Sequence, residues 1–283
     1  MTQHPDTSTP PVNEGRPAAR GAVQSAVDER NRRLAHAGVA RAEKLLTSRY
    51  RLSSEREAFD LLRRSSQKFN IKLHTLADVA IRLRGPAPGA PVWVPSRPQG
   101  PAPAIPVLGA SGSRPESHSA VLTSALRQAL RVTGAHMGNV QLVENGMLRM
   151  EKHVGLNRQF TDYFAFVEAS TTSCAQAAEE SRQVTVKDVA ASDTFDEASR
   201  EAILETGSRA CHSTPLLSPN GTVIGMISSH HERPLHDLTP AQLTAMHDLG
   251  TQVGRWLLWH RNTAVLTALN HLHADATGKS RSA

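Results

Sequence analysis

The chain has 283 residues, 39% apolar but only 4% aromatic, and a formal net charge of +6. That length suits two folded units, and so few aromatics imply that about a third of the chain stays outside any core. No membrane span or secretory leader is expected: the longest weakly charged run, 85–112, is broken by prolines, and the start lacks a basic cluster ahead of an apolar run.

In chain order, residues 1–20 are mostly small or polar and are expected to be a disordered tail. Residues 21–84 hold no proline, and apolar residues recur at helical spacing, which predicts an all-α module of three helices. The first, over about 24–50, puts Ala35, Gly38, Ala42 and Leu45 on one stripe suited to a close helix–helix seam, the alternative being a break or bend at Gly38. The second opens at Ser54-x-x-Glu57, a capping-box pattern, and runs to about Phe69. The third places Leu73, Leu76, Ala77, Ala80 and Leu83 on one face.

Nine prolines fall between residues 85 and 118, so this stretch reads as an extended, semi-rigid linker, with Trp93 within it read as an incidental exposed aromatic, the alternative being a docking point. Residues 119–260 alternate helical and extended patterns. A helix over 121–132 leads into strands 137–143 and 147–154 around Asn145-Gly146, the strongest short hairpin signal. A second hairpin joins 210–217 to 222–229 through Ser218-Pro219-Asn220-Gly221, and a helix opens at Thr239-Pro240. This order predicts an α+β domain with an antiparallel sheet. Residues 261–283 are expected to extend the last helix through about Leu269 and to fray from Asp275.

Charge is divided between the units. Residues 21–84 carry 14 Lys/Arg against seven Asp/Glu, whereas 119–260 carry 11 against 15. A basic balance confined to one module implies a polyanion as that module's partner.

Two stretches resemble known families. Val39–Ser53, Glu57–Gln67, Asn70–Leu73 and Leu76–Ala80 together look like an ANTAR domain, most specifically in Ala58-Phe59 and in Leu62-Arg-Arg-x-Ser-Gln-x-x-Asn-x-Lys-Leu73. The resemblance implies a three-helix module that binds paired RNA hairpins in nascent transcripts and prevents termination, usually as a dimer. One departure is Ala42-Glu43-Lys44 where the family has Ala-Lys-Gly. Residues 119–260 are similar to a GAF domain through Ser173–Ala178, Val184–Val189, Ser213–Leu217, Gly221–Ser228 and His230–Pro234. That implies a sensory module for a small-molecule effector, placed here after the RNA-binding module.

A reader of RNA loops needs cations for phosphate and short polar groups near splayed bases. The candidates are Arg41, Lys44 and Arg49 on the first helix, and Arg63, Arg64, Ser66, Lys68, Asn70 and Lys72 around the junction of the second and third. DNA reading by the third helix is disfavoured, since that helix is mostly apolar. By analogy with GAF sheets, candidate pocket positions are Cys174, Asp188, His212, Thr214 and Met226.

His230, His231 and His236 are close in sequence, but in a strand neighbouring histidines face opposite sides and no paired ligand spacing occurs, so no metal is expected. No cofactor is named by any motif. Cys174 and Cys211 read as buried thiols in a cytoplasmic protein; the alternative is a thiol enzyme resembling the GAF-type reductases of free methionine sulfoxide. No phosphate loop, nucleophile elbow or His-Glu-x-x-His pattern is present, so the expected function is binding rather than catalysis. A further alternative is an interaction module for a sensor kinase.

Overall fold

The computed structural model describes residues 15–95, 100–109, 117–167 and 173–280, without the side chains of 15–23, 173, 174, 178, 279 and 280. The expected tail lies outside these residues except for 15–20, which begin the first helix. Three helices form the N-terminal unit: α1 (Gly15–Tyr50), α2 (Glu55–Lys68) and α3 (Leu73–Arg82). α1 runs through Gly38 unbroken. Ser54 caps α2 by accepting from the Glu57 amide at 3.3 Å, but the box is only half formed, because the Glu57 carboxylate accepts instead from the Ser53 amide and hydroxyl.

The second unit comprises α4 (His118–Thr133), β1 (Met137–Glu144), β2 (Met147–Val154), α5 (Arg158–Tyr163), β3 (Phe166–Val167), α6 (Ser173–Glu180), β4 (Val184–Val186), α7 (Glu197–Glu205), β5 (Ala210–Leu217), β6 (Val223–His231) and α8 (Pro240–His260). Its six-stranded sheet has the order β3-β2-β1-β6-β5-β4, with every neighbouring pair antiparallel. The β1–β2 turn places Asn145 and Gly146 at φ 50° and 80°, the left-handed conformations an Asn-Gly hairpin requires. One sheet face is covered by α4 and α8, whose Leu122, Leu126, Leu249 and Val253 pack on Val140, Leu216 and Ile227. The other is covered by α5, α6 and α7 through Phe160, Phe164, Ala177 and Ile203, against Met137, Cys211 and Met226.

The C-terminal segment departs from expectation. α8 continues through a π-helical turn (Arg261–Val265) into α9 (Leu266–Ser280). Instead of fraying, this continuous helix runs onto the N-terminal unit and buries Val265, Ala268, Leu269, Leu272 and Ala276 against Ala42, Leu46, Ala58, Leu62 and Leu76. The module predicted as three helices is therefore a bundle of four.

The described parts of the Pro-rich stretch, 85–95 and 100–109, are fastened to the two units. Trp93, expected exposed, is 4% exposed in the core of the four-helix bundle. The Arg49 guanidinium lies 4.5 Å over its ring. Asn270 of α9 brackets Val94, accepting from its amide at 2.9 Å and donating to its carbonyl at 3.0 Å. Ile105 is buried against α4 and α8. Prolines remove backbone donors but leave the carbonyls and apolar side chains that such docking uses.

Candidate functional site

The α2–α3 junction is a tight turn built by its own polar groups. Asn70 adopts φ 51°, which asparagine tolerates better than most residues. The Ile71 amide donates to the Ser66 carbonyl at 2.9 Å, and the Ser66 hydroxyl donates to the Ile71 carbonyl at 2.6 Å. Ser66 is buried, so this candidate reader of bases is a structural tie instead.

The cations divide into two groups. Arg41, Lys44, Arg63 and Lys68 are exposed. Arg63 is paired with Asp60 at 3.2 Å, and the Lys68 ammonium lies 5.8 Å from the Phe69 ring. Three others are occupied by contacts that the sequence did not announce. Arg49 is committed to Trp93, its pKa lowered by burial. Arg64 meets Asp275 of α9 at 2.8 Å, and Lys72 is ion-paired with Glu151 of β2.

These last contacts belong to a seam between the two units. Lys72, the N-cap of α3, and Thr75, Asp78 and Arg82 on the helix follow one another at helical neighbour spacing. Against that row sits the β1–β2 hairpin: Glu144 accepts from Thr75 at 3.1 Å and contacts His74 Nδ1 at 2.7 Å, and the Asn145 amide donates to Asp78 at 3.0 Å. A Cβ on Gly38 would lie 2.7 Å from the Asn145 side-chain nitrogen, so the small-residue stripe of α1 receives the hairpin tip. Burial pushes the Glu144 pKa up, but His74, Arg149 and Thr75 together hold it below the usual carboxylate range. At Asp78 burial dominates and raises the pKa against the Asn145 amide, Arg82 and Arg261.

His74, Glu144 and Glu151 group three donors of metal-binding type. Lys72 and Arg149 already oppose the two carboxylates, so the group is an ion-pair network. His230, His231 and His236 make no such group among the described residues.

The four predicted pocket residues whose side chains are described do not converge. His212 and Thr214 lie on the α8 side, where His212 contacts Thr185 at 2.8 Å and Gln183 at 2.9 Å. Met226 and Cys211 lie on the opposite face, in the second core. Asp188 is at the periphery, paired with Arg209 at 3.2 Å and capping the turn at Ala190. The Cys174 side chain is outside the described ones. Cys211 is 1% exposed, which removes the access a reactive thiol needs.

A different set lines the inner face of the sheet beside α5. Asn139, Gln141, Ser213, Ser228 and His230 are all buried there on one face. His230 Nε2 meets the Asn139 carbonyl oxygen at 3.2 Å, and Ser213 and Ser228 share a hydrogen bond of 2.9 Å. Gln141 donates to the Phe164 carbonyl at 3.1 Å, while its own side-chain oxygen has no partner among the described residues. The signal available in sequence was the spacing of two in Asn139/Gln141 and in Ser228/His230. It went unread because strands buried on both faces do not reveal which side is inward.

These observations meet the family comparisons. The ANTAR domain model matches residues 23–79 and the GAF domain model matches 117–256. The chain carries an ANTAR domain followed by a GAF domain. Neither match reaches α9, which nonetheless completes the ANTAR core. Solved structures similar to the chain include a GAF domain/HD domain protein from Geobacter sulfurreducens, at 13% identity, TM-score 0.44, 53% of this chain and 98% of that one. Another is the free methionine-R-sulfoxide reductase from Neisseria meningitidis with its substrate, at 16% identity, TM-score 0.42, 56% of this chain and 87% of that one. A third is the GAF domain of an Acinetobacter phosphoenolpyruvate-protein phosphotransferase, at 12% identity, TM-score 0.44, 56% of this chain and 92% of that one. No curated protein matches. The ANTAR–GAF pairing identifies a regulator with a sensor domain. No described helix is long and apolar enough to cross a membrane.

Proposed function

We propose that this protein is a cytoplasmic, signal-responsive regulator that binds paired RNA hairpins in transcript leaders through its ANTAR unit, as a homodimer, and so favours antitermination. The reading is one of binding, without catalysis. The observation that carries it is a set of exposed cations, Arg41 and Lys44 on α1 and Lys68 at the end of α2, the last of them two residues before Asn70, which is exposed in a left-handed turn. Phosphate contacts supply affinity, and bases splayed at the junction supply specificity. The GAF unit supplies control. Its effector site is the buried polar row Asn139, Gln141, Ser213, Ser228 and His230, where the Gln141 oxygen, without a partner among the described residues, offers an acceptor to a donor group of a small uncharged ligand.

The test is a mobility-shift titration of the full chain with two linked RNA hairpins and with duplex DNA of equal length. RNA is expected to bind more tightly. Lys44→Ala and Lys68→Ala are each expected to weaken binding and to flatten its salt dependence by about one unit of slope. Preference for duplex DNA, or no binding to either at low ionic strength, overturns the reading.

A further inference from the structure

Arg64 and Lys72, which flank the α2–α3 junction, are each met by a carboxylate that the ANTAR match does not include: Asp275 of α9 and Glu151 of β2. The second contact is asymmetric. The Lys72 side chain is 45% exposed, while that of Glu151 is 2% exposed. A carboxylate so enclosed requires a cation beside it, so Lys72 holds the hairpin in place while Glu151 neutralises the ammonium that a phosphate would otherwise pair with. Glu144 on His74 and Thr75, the Asn145 amide on Asp78, and the fit of Asn145 over Gly38 align the hairpin along the α3 row. A phosphate that approaches Lys72 must therefore displace Glu151 from the ammonium to gain its full charge.

The geometry points to an autoinhibited resting state in which the GAF hairpin and α9 cover the junction cations and RNA competes with Glu151 and Asp275 for Lys72 and Arg64. This rests on the RNA-binding reading above. Two continuous elements connect the cover to the sensor. β1 carries Asn139 and Gln141 on the inner face and ends at Glu144, three residues beyond Gln141. α8 packs on the sheet and runs through the π-helical turn into α9, a geometry that can change register within a helix without breaking it. Arg261 in that turn lies 3.8 Å from Asp78, so it also touches the covered row. An effector that favours the uncovered arrangement shifts the population only by its differential affinity for the two states.

The experiment titrates paired hairpin RNA into the full chain and its variants at fixed salt. Glu151→Gln is expected to bind RNA about three- to five-fold more tightly than the wild type, the scale of a partly exposed ion pair. Gly38→Leu, which leaves charge unchanged and wedges the hairpin tip, is expected to gain similarly and to speed hydrogen exchange at Leu76–Ala80. Glu201→Gln, a neutralised acid at an exposed site on α7, is expected to change nothing. In Lys72→Ala the Glu151→Gln gain is expected to vanish, since the two act as one pair. If the wild type binds RNA with normal salt dependence but neither Glu151→Gln nor Gly38→Leu binds more tightly, the cover is overturned and the RNA reading stands. A Glu151→Gln gain that persists without Lys72 overturns the cover as well, as bulk charge. If no variant binds RNA at low salt, the RNA reading falls and the cover falls with it.

Discussion

Trp93 and the buried histidines show what single side chains decide here. Trp93 lies in a proline-rich stretch, yet it meets Tyr50 edge-on at 6.3 Å and His273 at 6.4 Å, so one aromatic pins the connecting segment to the bundle. His273 completes the contact, with Nδ1 2.7 Å from the Tyr50 hydroxyl and Nε2 2.8 Å from the Ala90 carbonyl oxygen. In the GAF unit, burial and then the charge of His231 hold the His230 pKa down at about 3 and that of His212 at about 4; burial and then His260 hold His118 at about 4. The unfolded chain takes up these protons near the ordinary histidine value of about 6.5 and the folded one does not. Between about pH 6.5 and 4 the unfolded state therefore binds more protons, and stability falls as pH falls. Urea denaturation is expected to give a lower unfolding free energy at pH 5 than at pH 7.5, with part of the loss removed in His230→Asn. A free energy equal at the two pH values would count against buried neutral histidines.

At the scale of elements, close approach of backbones matters as much as amphipathic pattern. α8 rests on β5 where a Cβ on Gly254 would come within 2.2 Å of the Leu217 carbonyl oxygen, a backbone atom that cannot swing aside. Gly278, on the exposed side of α9, has nothing within 4 Å of its would-be Cβ. The same substitution should thus have opposite signs at the two positions. Gly278→Ala is expected to stabilise by up to ~1 kcal/mol through helix propensity. Gly254→Ala is expected to destabilise by about 1–3 kcal/mol through overpacking that outweighs the same propensity. Denaturation midpoints at constant slope would measure both. Element starts and turns were legible because their causes are local. Asn145-Gly146 specifies its turn within two residues, and Thr239 caps α8 with Gln242 closing a full capping box. The half-formed box at Ser54 was not legible, because Ser53 offers an equivalent donor one residue away.

For the whole molecule, the decisive feature is that the last helix belongs to the first domain. α9 supplies Leu269 and Leu272, fully buried, to a core whose other members lie some two hundred residues earlier in the chain. Leu→Ala truncations in such a core cost about 2–5 kcal/mol each. A chain ending at His260 is expected to lose cooperative unfolding and exchange protection in α2 and α3 while the sheet unit keeps both. Hydrogen exchange read by mass spectrometry would separate the two, and protection of α2 and α3 equal to that of the full chain would refute a shared core.

Helical spacing, capping residues, the Asn-Gly turn and the split of charge determined the two units, their order and the basic character of the first, since each of these acts between residues a few positions apart. Tertiary structure alone decided that Trp93 is buried, that Arg64 and Lys72 are engaged, that the pocket candidates fall on different faces, and that α9 closes the ANTAR bundle. Each of those outcomes depends on groups far apart in the chain meeting in space, and the charge or apolarity of a residue does not say which partner will neutralise or cover it.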